Sequence, residues 1–116
     1  MKILVLDDHY RDISPLLEVF LKGVAFTYTA TPADARQKLE KEKFDVLLLD
    51  GDLGFAKGPD VLEGWKNQGL ALPPVVMFSA DAEMRTKGME VGAVWAIAKE
   101  TCSREDFLEL KKFEAG

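Results

Sequence analysis

Lys2-Ile3-Leu4-Val5-Leu6-Asp7-Asp8 and Asp45-Val46-Leu47-Leu48-Leu49-Asp50 are the two stretches that decide the fold. Each holds a four-residue run, Ile3 to Leu6 or Val46 to Leu49, that is apolar at every position and then stops at carboxylates. A half-buried strand alternates apolar and polar residues. A run apolar throughout reads as a strand covered on both faces, the pattern found in the middle of parallel sheets. Each large side chain buried there contributes roughly 1.5–3 kcal/mol. The terminal acids need a different explanation. If the two strands are neighbours, their carboxyl ends bring Asp7, Asp8 and Asp50 into one crevice. Crowded carboxylates repel one another, so the cluster implies a divalent-metal site with one acid free to act as nucleophile.

Outward from these runs, strand and helix patterns alternate five times. The first strand covers residues 2–7. A helix follows over 12–22, with Ile13, Leu16, Leu17, Phe20 and Leu21 at helical spacing and Pro15 expected in its first turn. Residues 24–29 are β-prone. Thr31-Pro32 starts the second helix as N-cap and first helical residue, and Ala35 and Leu39 are expected to be buried. The third strand spans 44–49, and Gly51-Asp52-Leu53-Gly54 forms a loop. Helix 58–67 follows, then strand 75–79, helix 82–91 and strand 93–98. Gly88 within its helix costs about 1 kcal/mol relative to Ala and predicts a soft element. Ser103 with Asp106 three residues on resembles a capping box for a last helix burying Phe107, Leu108, Leu110 and Phe113. Met84, Met89, Trp65 and Trp95 read as packing residues. Cys102 reads as a small packed or turn residue.

Alternating strand–helix units predict a parallel sheet with helices on both faces. Five of them suit a flavodoxin-like, doubly wound (βα)5 α/β fold with strand order 2-1-3-4-5. In that order the first and third strands are neighbours at the switch point where ligands sit. Ser79 and Lys99, ending the fourth and fifth strands, lie at the same edge as the three acids.

A length of 116 residues fits one domain, and 47% hydrophobic residues supply a core. The net charge of −5 argues against a nucleic-acid or anionic-membrane surface. No apolar stretch approaches the roughly 20 residues that cross a bilayer. No signal peptide is read, and the single cysteine has no internal partner. A reducing, cytoplasmic location is expected.

The residues now quoted carry a resemblance. The acid pair after the first strand, Asp50 after the third, and Gly58 eight residues beyond it stand in order. They are followed by Val75-Val76-Met77-Phe78-Ser79-Ala80, and by Gly92-Ala93 ahead of Lys99. Together they resemble the CheY-like receiver domain of bacterial two-component response regulators, across residues 1–116. The resemblance implies that Asp50 is the phosphoacceptor, attacking a phosphoryl group to form an aspartyl phosphate. It implies that Asp7, Asp8, Asp50 and the backbone carbonyl of Asp52 hold Mg²⁺ (or Mn²⁺), and that Lys99 and Ser79 contact the phosphoryl oxygens. The implied partners are a sensor histidine kinase or histidine phosphotransfer protein, and a downstream protein that reads a switched surface. The chain then acts as a signalling phosphoprotein of a phosphorelay rather than as an enzyme turning over an external substrate.

Several positions depart from that pattern. Glu100 replaces the proline that usually follows the lysine, and Gly54 the proline after the acceptor. Ala96 replaces the usual Tyr or Phe, with Trp95 on the opposite face by strand alternation. Asp52 and Asp81, two residues beyond Asp50 and Ser79, are expected to border the path of attacking water and to alter the lifetime of the phosphate. Two other readings stand beside the phosphoacceptor. One is a receiver-fold adaptor that binds its partner without phosphorylation. The other takes Asp50-Gly51-Asp52 as the Asp-x-Asp of haloacid-dehalogenase-type phosphatases, in which the second acid serves as acid/base. His9, beside the acid pair, reads as an exposed helix-entry residue rather than a base.

Overall fold

The computed structural model describes residues 1–115. Five strands, β1 (Lys2–Leu6), β2 (Ala25–Thr29), β3 (Val46–Leu49), β4 (Val75–Ser79) and β5 (Trp95–Ala98), form one sheet in the order β2-β1-β3-β4-β5. Every pairing is parallel. The helices are α1 (Tyr10–Phe20), α2 (Pro32–Lys41), α3 (Gly58–Asn67), α4 (Ala82–Glu90) and α5 (Arg104–Leu108). Short 3₁₀ turns follow at Lys99–Thr101 and Glu109–Phe113.

The all-apolar runs divide their residues between two cores, as the two-residue period of a strand requires. Ile3, Val5, Val46, Leu48, Val76, Phe78 and Ile97 face Leu17 of α1 and Phe107 of α5. Leu4, Leu6, Leu47, Leu49 and Met77 face the other way, against Ala35 of α2 and Leu62 and Trp65 of α3. Both faces are thus covered, and β1 and β3 are buried throughout their apolar runs. The expected doubly wound architecture and strand order are those of the structure.

Local signals were legible too. Asp34 N–H donates to Thr31 Oγ1 at 3.2 Å, so Thr31 caps α2. Ser103 N–H donates to Asp106 Oδ2 at 2.8 Å, the acidic half of the expected capping box. Trp65 is buried, and Trp95 lies on the opposite face of β5 from Ala96.

Some expectations change. Helix α1 starts at Tyr10, whose N–H bonds Asp7 O at 3.1 Å, rather than at residue 12. Pro15 therefore lies in the helix interior, where it donates no bond to the carbonyl four residues back. Leu16, Met89 and Leu108, expected inside, are exposed. Helical spacing predicts a wider apolar stripe than the sheet covers. Helix α5 lasts five residues before tightening into the 3₁₀ turn. Gly88 also has a packing role: a Cβ there would collide with the Met77 side chain, so glycine lets α4 approach β4.

Candidate functional site

The register of the sheet builds the site. Leu6 pairs with Leu49, so β1 and β3 end level with each other. Asp50 N–H donates to Leu6 O at 2.9 Å, and Asp7 N–H to Thr29 O at 3.0 Å. The two acids leave neighbouring strands side by side, with Asp7 1% and Asp50 7% exposed. Lys99, just past β5, reaches across the sheet edge. Its Nζ lies 2.7 Å from Asp7 Oδ2 and 3.3 Å from Asp50 Oδ1. Ser79, at the end of β4, is 2% exposed, and its Oγ accepts the Asp81 N–H at 3.1 Å.

Burial dominates the electrostatics of Asp50. Desolvation, and then the charge of Asp7, push its carboxyl up from 3.8 to about 6, against the pull of Lys99 and the Asp52 N–H. Burial also disfavours the Lys99 ammonium. The hydrogen bond to Asp7 and the charges of Asp50 and Asp7 outweigh it, and Lys99 ends above its ordinary value.

One oxygen from each of Asp7, Asp8 and Asp50 lies within 4.8 Å of the others. Asp8 Oδ1 is buried and has no hydrogen-bond partner among the described residues. A buried carboxylate oxygen left without a donor is costly, and a hard divalent cation satisfies it. An all-oxygen donor set beside an open cavity suits Mg²⁺, which keeps waters and phosphate oxygens among its ligands. That cavity, of about 410 Å³, is lined by Asp8, Asp50, Ser79, Ala80, Asp81 and Lys99, among others.

Two further acids at the cavity rim, Asp52 and Asp81, are held by local partners. Asp52 Oδ2 pairs with Lys57 Nζ at 2.9 Å, its Oδ1 accepts the Gly54 N–H at 2.9 Å, and its own N–H faces Asp50 Oδ1 at 3.4 Å. The hydrogen bond from Lys57 holds the Asp52 carboxyl below the usual range. Asp81 Oδ1 accepts the Glu83 N–H at 2.8 Å and caps α4. Gly54 has φ +84°, a conformation proline cannot adopt, so this loop differs in shape from one carrying proline there. Gly58 permits the next close approach: a Cβ would fall 2.1 Å from Asp50 O. His9 is exposed at the start of α1, with Nε2 3.4 Å from Asp8 Oδ2. The structure thus brings together Asp7, Asp8, Asp50, Ser79 and Lys99. The carboxylate of Asp52 turns outward.

Arg85 is a site neighbour that sequence reading missed. Its Nη1 donates to Ser79 O at 2.7 Å and lies 3.7 Å from Glu100 Oε1. Nothing in the pattern of α4 distinguishes this arginine from a solvated one.

A five-stranded parallel sheet with acids, a hydroxyl and a lysine at its carboxyl edge defines a signalling receiver. The chain belongs to the response regulator receiver domain family, whose model matches residues 3–110. Similar solved structures include the receiver domain of Francisella response regulator 1452, at 20% identity and TM-score 0.79, covering 97% of this chain and 94% of that one. A CheY-like receiver domain protein from Methanospirillum hungatei JF-1 is 25% identical, with TM-score 0.75 and coverage of 97% and 94%. Vibrio cholerae chemotaxis protein CheY4 is 23% identical, with TM-score 0.77 and coverage of 96% and 95%. No curated protein matches the chain. Among the described residues no helix is long and apolar enough to cross a membrane.

Proposed function

We propose that residues 1–116 form one receiver domain that accepts a phosphoryl group on Asp50 from a histidine kinase or histidine phosphotransfer protein in the cytoplasm. The observation that carries this reading is the convergence of Lys99 on Asp7 and Asp50 beside the buried, unpartnered Asp8 Oδ1. Asp50 attacks phosphorus through a carboxylate oxygen. A P–O bond forms, the P–N bond of the phosphohistidine breaks, and the electron pair leaves with the imidazole. Asp7, Asp8 and the Asp52 carbonyl would hold Mg²⁺ (or Mn²⁺), with Asp50 as a further ligand. The ion supplies neutralisation of the charge that develops on the phosphoryl oxygens. Lys99 faces those oxygens with its ammonium, and the Ser79 hydroxyl, while accepting from the Asp81 N–H, donates its own proton to one of them. Asp52 and Asp81 set the lifetime of the product from the cavity rim. Asp→Asn changes at both positions are expected to shift the dephosphorylation rate, and an unchanged rate rejects this role.

Ala96 and Glu100 favour a second reading, an adaptor that works without phosphorylation. The outward turn of Asp52 toward Lys57 gives no support to a phosphatase using it as acid/base. Incubation with Mg²⁺ and a small phosphodonor, followed by intact mass measurement, separates the readings. One added phosphoryl group in the wild type and none in Asp50→Asn supports the receiver. No adduct supports the adaptor, and steady turnover of a generic phosphomonoester supports the phosphatase.

A further inference from the structure

Arg85 stands in the first turn of α4, where its N–H bonds Asp81 O at 3.1 Å. Its guanidinium donates to the main-chain oxygen of Ser79 at 2.7 Å and faces Glu100 at 3.7 Å. Ser79 carries the hydroxyl that faces the cavity, and Glu100 directly follows Lys99. One planar cation therefore links α4 to the backbone of one pocket residue and to the side chain next to the other. The two links differ in strength. A charged donor on a partly buried carbonyl makes a strong, directional bond. The ion pair is looser, and Glu100 is 54% exposed, so it contributes little.

The geometry matters because the Ser79 hydroxyl still has a proton to donate. Its Oγ now accepts from Asp81 N–H at 3.1 Å. Donating that proton to an oxygen bound on Asp50 draws the hydroxyl toward it and pulls on the main chain that Arg85 grips. Helix α4 is seated by buried Met84 and by Gly88 against Met77, so it responds as a packed body. On the same side of the sheet, β5 offers the methyl group of Ala96, which has no reach with which to carry a movement.

We infer that Arg85 is a positioning residue that joins the Ser79 loop and the Lys99–Glu100 turn to α4, and so carries modification of Asp50 into that helix. The inference rests on the phosphoacceptor reading of Asp50. The experiment uses the full chain with Mg²⁺ and a small acyl phosphate, with intact mass and amide NMR shifts recorded in parallel. In the wild type, uptake of one phosphoryl group moves the resonances of Ala82–Glu90. In Arg85→Ala uptake is equal and the Ser79 and Ala80 resonances still move. The response of α4 falls about threefold or more, within the usual range for loss of a coupling contact. Arg85→Lys restores about half of it, because an ammonium keeps the charge and one donor, and Glu100→Gln retains most of it. A full α4 response in Arg85→Ala at equal uptake overturns the inference. No uptake by the wild type defeats the phosphoacceptor reading itself, and the coupling with it. Hydrogen exchange on the unmodified protein gives an independent arm. Arg85→Ala is expected to speed exchange at Ala80 and Asp81 by about threefold or more, and unchanged rates at these positions contradict the link.

Discussion

Lys99 Nζ donates to Asp7 Oδ2 at 2.7 Å although 92 residues separate them in sequence. The same ammonium lies 3.3 Å from Asp50 Oδ1, between carboxylates carried by β1 and β3. A unit charge pair at such range is worth about 5–6 kcal/mol before desolvation at an effective dielectric near 20. This cation offsets the repulsion between two nearly inaccessible acids. Lys99→Met is therefore expected to destabilise the metal-free protein by about 3–5 kcal/mol, as for breaking a buried ion pair. Adding Asp7→Asn to that variant recovers more than half of the loss, because the uncompensated repulsion disappears. Urea unfolding of the four members of this cycle measures the coupling. Additive losses would contradict it.

The raised carboxyl of Asp50 makes stability depend on pH in a defined direction. The group sits at 3.8 in the unfolded chain and at about 6 in the folded one, so the folded state holds the proton more tightly. Its favourable contribution is full below about pH 4, is lost as pH rises toward 6, and stays lost above that. Asn at this position carries no such proton. The variant Asp50→Asn is expected to match the wild type near pH 4. Above pH 6, without metal, it exceeds the wild type by roughly 2–3 kcal/mol, at about 1.4 kcal/mol for each pH unit between the two values. Denaturant midpoints from pH 4 to 7.5 check this. A gap that does not change with pH would count against it.

Divalent metal is expected to offset about half of that penalty. Mg²⁺ at ten times its dissociation constant stabilises the wild type by about 1.4 kcal/mol. Thermal unfolding in MgCl₂, against NaCl of equal ionic strength, measures the effect. Asp8→Asn is expected to lose most of it, since Asp8 Oδ1 is the buried oxygen without a protein partner among the described residues. Equal responses of both proteins, or none in the wild type, would remove the metal from the site.

Two glycines beside the site and the sheet separate backbone from side-chain crowding. A Cβ at Gly58 meets the carbonyl of Asp50 at 2.1 Å, and backbone cannot move aside without displacing the acceptor. Gly58→Ala is expected to cost about 3 kcal/mol or more, with altered amide shifts at Asp50. A Cβ at Gly88 meets the flexible side chain of Met77. Gly88→Ala is expected to cost less, about 0–2 kcal/mol, because helix propensity recovers part of the strain. The reverse order in thermal unfolding would contradict this account.

The β1 and β3 runs were readable because burial on both faces leaves no polar position, and strand ends then locate the acids. Thr31 and Ser103 were readable because capping is local chemistry. What failed depended on neighbours. Leu16, Met89 and Leu108 have helical spacing, but the sheet does not extend far enough to cover them. Pro15 marks where a helix readily starts, but the bond from Tyr10 N–H to Asp7 O sets the start earlier. The direction of the Asp52 side chain and the grip of Arg85 on Ser79 depend on Lys57 and on a main-chain oxygen, neither of which a linear pattern exposes.

The central claim is that Asp50, and no other group at the cavity, takes the phosphoryl group. After treatment with Mg²⁺ and a small acyl phosphate, borohydride reduction converts an aspartyl phosphate to homoserine, and peptide mass mapping locates it. The account predicts homoserine at position 50 alone, absent when Mg²⁺ is chelated. Label at Asp52, a phosphoryl group on His9, or no modification at all would contradict it.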